Sequence, residues 1–168
     1  MTKYKKPIIA IHWFSAILII VLMLSGMLGN KIAQDSALRL NLIKAHGVIG
    51  LVVLVLTVLR LFFYFTAEHP PLLEMPNWRK QAFAWNHRLI YIVIVALLFS
   101  GVGMLISSGI GLSPLSITPD KIVDSTARNI HGILPKLFLA LLAMHVGGAL
   151  HYQFTHGKTF ARMCVKAK

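Results

Sequence analysis

The sequence predicts an all-α fold, an integral membrane four-helix bundle with both termini cytoplasmic. Three observations predict it. Hydrophobic residues make up 57% of the 168-residue chain and charged residues 13%, with a mean hydropathy of +0.72, which is more apolar than a soluble core needs. The apolar residues gather into four runs, at about 7–28, 45–65, 89–106 and 133–154. Each is close to the ~20 residues that a helix rising ~1.5 Å per residue needs to cross ~30 Å of hydrocarbon. Lysine and arginine are unevenly shared between the two sides, ten on the side of the termini and the second loop against five on the other, and the richer side stays in the cytoplasm. Little sequence remains outside the runs, so residues 1–168 read as a single domain.

The first run, Pro7 to about Leu28, follows Lys3, Lys5 and Lys6. A signal peptide has a similar plan, but this apolar core is too long and lacks a small-residue cleavage site, so it is helix one. The second run extends from Ala45 to Phe65 and encloses Arg60. After it, "EHPPLLEMPNW" holds Pro70, Pro71 and Pro76, which forbid continued helix and predict an extended segment along the inner membrane surface. The third run is Leu89 to Ile106, and the outer connection that follows, "SSGIGLSPLSITPDK", is irregular in composition. The fourth run is Ile133 to about Phe154. No internal repeat or low-complexity tract is expected. The single cysteine, Cys164, excludes a disulfide framework or a cysteine-based cluster within one chain, and there is no CxxCH for covalent haem. The net charge of +12, weighted to the inner side, reads as topology and affinity for anionic lipid rather than nucleic-acid binding.

The histidines fall at two depths. His46 and His131 stand at the outer starts of the inward-running second and fourth helices. His145 follows His131 by 14 residues, roughly 21 Å deeper and within about 40° of the same helical face. His12, about 8 Å into the outward-running first helix, reaches nearly the same depth as His145. Two levels with two imidazoles each, drawn from three helices, suit two six-coordinate haems stacked across a bilayer. The pairing expected is His46 with His131 for the outer haem and His12 with His145 for the inner one. Arg60 follows His46 by 14 residues, which puts it on the same face at the inner level, where a haem propionate would partner it.

A bland role stands beside each assignment. A lone histidine in a membrane helix often bridges helices by hydrogen bonding, though independent bridging would not predict shared depths. His87 and His151, with Tyr152, could line a quinone site or carry its protons, or serve as interfacial residues. Lys136 could reach an outer propionate or simply snorkel. Gly26, Gly47, Gly50, Gly147 and Gly148 would let a flat ring or another helix approach.

The stretches "IAIHWFSAILI", "NLIKAHGVIGLVVLVLTVLRL", "NHRLIYIVIVALLFSGVGML" and "IHGILPKLFLALLAMHVGGALHYQF" resemble the prokaryotic cytochrome b561 family over nearly the whole chain. The resemblance implies a multi-pass protein of the bacterial inner membrane that holds two haem b groups on His12, His46, His131 and His145 in the same pairing. It also implies exchange of electrons with quinone. One branch of that family oxidises superoxide at the periplasmic face and reduces ubiquinone. Lys31, Arg39, Lys44 and Arg128 around the outer level would draw in a small anion, or merely anchor helix ends. Three readings stay open: a superoxide:ubiquinone oxidoreductase, an electron-transfer subunit docking a periplasmic protein donor such as a dehydrogenase or hydrogenase, and a haem-free bundle with bridging histidines. The short outer loops offer little docking surface, which favours the first.

Overall fold

The computed structural model describes residues 4–33, 35–68, 74–121, 124–157 and 163. Among them the chain forms four long helices, α1 (Lys6–Gly29), α2 (Ala37–Thr66), α3 (Asn77–Ser107) and α4 (Thr126–His156), and no strand. All four are long and apolar enough to cross a membrane. Two single turns of 3-10 helix, Pro114–Ser116 and Pro119–Lys121, break up the α3–α4 connection.

The helices outrun the apolar segments that announced them. α2 begins at Ala37 rather than near 45, α3 at Asn77 rather than near 89, and α4 at Thr126 rather than near 133. Hydropathy detects only the part of a helix immersed in hydrocarbon, and these first turns carry Arg39, Lys44, Arg79, Lys80 and Arg128, which keep them in polar surroundings. Local signals do mark the ends. Pro7 occupies the first turn of α1, where its missing N–H costs nothing. The Ser125 hydroxyl caps α4 by accepting from the Arg128 amide at 3.2 Å, and Gly157, at φ 66°, stops it in the left-handed region. Pro76 precedes α3. The extended segment expected around Pro70 and Pro71, like His69 and most of the basic terminal residues, lies outside the described residues.

The bundle is two antiparallel hairpins. α1 packs along α2 and α3 along α4, while α2 and α3 touch more sparsely. Val93, Ile94, Phe138 and Leu141 form the core between α3 and α4, and Ile19 and Met23 from α1 close against it. Large apolar side chains such as Phe65, Phe99 and Phe154 face outward, as lipid contact allows. The α1–α2 and α3–α4 turns lie at one end, called here the turn end. There the first 3-10 turn folds down onto α2, burying Pro114 and Ile117.

Candidate functional site

Space between the hairpins is where the expected histidines converge. The rings of His46 and His131 have centroids 6.0 Å apart with planes at 78°, and those of His12 and His145 are 6.4 Å apart at 49°. A metal–imidazole bond is about 2 Å long, so two rings on opposite sides of one metal have centroids about 6 Å apart. Both pairs have that separation. His87 approaches His145 more closely, at 4.8 Å, too near for the two rings to flank one metal. Among the described residues no three His, Cys, Asp or Glu side chains gather as a metal cage, and each level presents a facing pair of imidazoles from two helices.

At the turn level the structure fixes which imidazole nitrogen carries the proton. The Ser25 hydroxyl donates its one proton to the Leu22 carbonyl at 3.0 Å, so toward His46 Nδ1, 2.9 Å away, its oxygen can only accept. His46 is therefore protonated on Nδ1 and keeps a lone pair on Nε2. The same construction recurs on the other hairpin. Ser100 donates to the Leu97 carbonyl at 2.9 Å and accepts from His131 Nδ1 at 2.9 Å, and that N–H also reaches the Leu97 carbonyl at 3.0 Å. Gly26 and Gly101 complete the match: a Cβ there would stand 3.5 and 3.4 Å from the Cε1 atoms of His46 and His131.

These serines were not among the expected site residues, and the repeat that carries them went unseen. L-x-x-S-G occurs at Leu22–Gly26 and again at Leu97–Gly101, and H-G at His46–Gly47 and His131–Gly132. Setting the first hairpin beside the second exposes it. The loops differ in length, which hides it from a search for a fixed period.

Around this pair lies a cavity of about 890 Å³, lined by apolar residues from all four helices and by Gly47, Gly50, Gly101 and Gly132. Its volume is at the upper end of those that hold cofactors. Arg39, Arg128 and Lys136 also line it, and Arg39 Nε is buried with no hydrogen-bond partner. A buried N–H of this kind calls for an anionic partner. Two Nε2 lone pairs, an apolar slot and an unpaired guanidinium N–H fit an iron macrocycle bearing carboxylates. Arg128 shares its charge with Asp124 at 2.8 Å. Outside the membrane the Thr118 hydroxyl holds the Asp120 carboxyl below its ordinary pKa.

The level nearer the termini is built differently. Arg60, on the face expected for it, brings Nη2 to 3.1 Å from His12 Nδ1 and sets its guanidinium 5.3 Å over the Tyr91 ring. A guanidinium only donates, so this His12 nitrogen accepts and the ring proton lies on Nε2. His145 Nδ1 is buried without a hydrogen-bond partner. His87 is anchored through Nδ1 to the Phe83 carbonyl at 2.9 Å, leaving Nε2 available beside His145. Buried Asn86, oriented with its amide nitrogen toward the Leu141 carbonyl (3.2 Å) and its oxygen toward the His145 amide (3.1 Å), pins α4 at this level. Tyr152 lies elsewhere: its hydroxyl donates to the Glu74 carbonyl at 3.2 Å and its ring stacks on His156. His151 is exposed, and its carbonyl accepts from the Thr155 hydroxyl.

Known proteins decide the family. Residues 3–165 match the family model for prokaryotic cytochrome b561. The chain belongs to the prokaryotic cytochrome b561 family. It is also 25% identical over 177 residues, spanning the whole of both chains, to a protein of Escherichia coli (strain K12) called cytochrome b561 homolog 1. Membership of the cytochrome b561 family makes this a multi-pass protein of the bacterial inner membrane. Its work is membrane electron transfer with haem b.

Proposed function

We propose that the chain binds two haem b groups, the outer on His46 and His131 and the inner on His12 and His145, with both termini in the cytoplasm. It would move electrons from superoxide in the periplasm to ubiquinone. The observation that carries this reading is the presence of two cross-helix imidazole pairs with centroids 6.0 and 6.4 Å apart, at levels separated by the 14 residues between His131 and His145, roughly 21 Å. When bound, each haem supplies reversible one-electron chemistry at its level.

The residues divide the remaining tasks. Arg39 and Lys136 neutralise outer propionates, and with Lys31 and Lys44 they make the turn end attractive to a small anion. Arg60 would pair with an inner propionate in place of His12 Nδ1, leaving His12 free to carry its ring proton on Nδ1 and to hold the haem through Nε2. His87, beside His145, is the nearest candidate to hold a quinone or pass it protons. His151 and Tyr152 are the more distant candidates. The electron balance closes over two encounters: two superoxide anions leave as dioxygen, and ubiquinone gains two electrons and two protons to become ubiquinol.

The test uses purified full-length protein in lipid nanodiscs. Reduced-minus-oxidised spectra with b-type bands and two haems per chain support the cofactor assignment. Reduction of those bands by a superoxide source, with ubiquinol formed at half the superoxide consumed, supports the reaction. Reduction only on adding a periplasmic dehydrogenase or hydrogenase would replace it with the electron-transfer-subunit reading.

A further inference from the structure

We propose that Ser25 and Ser100 are matched positioning residues for the outer haem, each tuning its redox behaviour through the imidazole it holds. This rests on the assignment of His46 and His131 as axial ligands. Both hydroxyls are held as acceptors by donating to the carbonyl three residues earlier in their own helix, and each receives an imidazole Nδ1–H at 2.9 Å. Such a bond does two things. It holds Nε2 unprotonated and aimed into the cavity, and it draws the N–H proton outward, making the ring a stronger donor to iron. A stronger donor favours the ferric state, so the bond lowers the potential and its loss raises it.

The two hairpins are alike in sequence and in construction. His131 Nδ1–H has a second acceptor in the Leu97 carbonyl at 3.0 Å, and the Leu22 carbonyl is the corresponding backbone partner of His46. In each hairpin the serine and the carbonyl it donates to hold one imidazole N–H together, so removing the serine weakens the hold on the ring and leaves the carbonyl in place. Ser25 and Ser100 therefore act alike, as the L-x-x-S-G around both implies.

The experiment compares Ser25→Ala, Ser100→Ala, Ser25→Thr and Ser100→Thr with the parent, all as full-length haem-loaded protein. Anaerobic potentiometric titration and low-temperature EPR are the readouts, and the outer haem is identified as the signal lost in His46→Ala. At the parent's outer midpoint, Ser25→Ala should raise the reduced-to-oxidised ratio several-fold and shift the outer g-values, leaving the inner haem unchanged. Ser100→Ala should move them the same way, and the threonine variants should restore the parent values. The proposal is overturned if Ser25→Ala or Ser100→Ala titrates as the parent, or if the threonine variants fail to restore. Parent protein without haem, or His46→Ala that keeps both haems, would instead overturn the ligand assignment beneath it.

Discussion

Gly47→Ala tests whether the 3-10 turn at the turn end is a fitted cap on the cavity around His46 and His131. A Cβ at Gly47 would lie 2.7 Å from Pro114 Cβ, 3.2 Å from its Cγ and 3.8 Å from its Cα. Ordinary carbon contacts begin at about 3.5 Å, so the ring must retreat by roughly 1 Å. A proline ring is stiff and tied to its own backbone, which leaves no flexible side-chain end to swing aside. The turn must therefore move with it, and with it Ile117, whose amide bonds the Pro114 carbonyl at 3.3 Å and whose side chain lines the cavity. Overpacking of this kind costs about 1–3 kcal/mol. Replacing glycine by alanine inside a helix returns up to about 1 kcal/mol, so the net loss is about 0–2 kcal/mol. Gly148→Ala, where a Cβ meets nothing within 4 Å, carries the helical gain alone and serves as the reference. Thermal unfolding in nanodiscs should place Gly47→Ala below Gly148→Ala, and amide exchange at Ile117 should quicken. Equal melting temperatures with unchanged exchange would refute the cap.

Other perturbations separate the two levels. His145→Ala should remove the inner haem and spare most of the outer, read from the b-type spectrum; loss of only the outer signal would reverse the levels. Arg60→Met should weaken inner haem retention during purification while the outer haem stays at the parent's stoichiometry. Asn86→Ala, which strips a buried bridge to the α4 backbone, should cost about 1–3 kcal/mol by thermal unfolding, and an unchanged melting temperature would show that the bridge contributes nothing. If the basic turn end steers superoxide, Lys44→Gln should slow haem reduction at low ionic strength, and the difference should fade as the Debye length shrinks from ~30 Å to ~10 Å.

The fold was legible because hydrocarbon imposes a simple rule: four runs long enough to cross must be helices. The helix ends were not legible from hydropathy, since Arg39, Arg79 and Arg128 extend helices beyond the apolar zone. Their capping signals, Ser125 and Pro76, depend on local chemistry rather than on apolarity. The histidine pairs could be anticipated because depth in a membrane is nearly a count of residues, and two numbers per residue, depth and helical phase, limit which rings can meet. Ser25, Ser100 and Asn86 escaped because serine and asparagine in a membrane helix usually satisfy themselves on their own helix. Nothing in their identity says which neighbour they also touch. Neighbours on a helix point about 100° apart, so His151 is exposed while Tyr152 is spent on Glu74.

The two levels also differ in what the chain has settled in advance. At the turn level each hairpin supplies its own acceptor, so both imidazoles carry the proton on the outward nitrogen and turn a lone pair into the cavity. At the other level a cation holds His12 in the opposite tautomer, and His145 has an unanswered Nδ1. An arginine in that position is costly in hydrocarbon without a counter-charge, and the carboxylate of an arriving propionate offers a better partner than a neutral ring. On the proposed assignment Arg60 would couple charge neutralisation to tautomer change: leaving His12 for a carboxylate would let the ring proton settle on Nδ1 and free Nε2. The turn-end pair would then be ready before its haem and the other pair would be completed by it, so that two sites on one face of α4 would rest on different supporting residues.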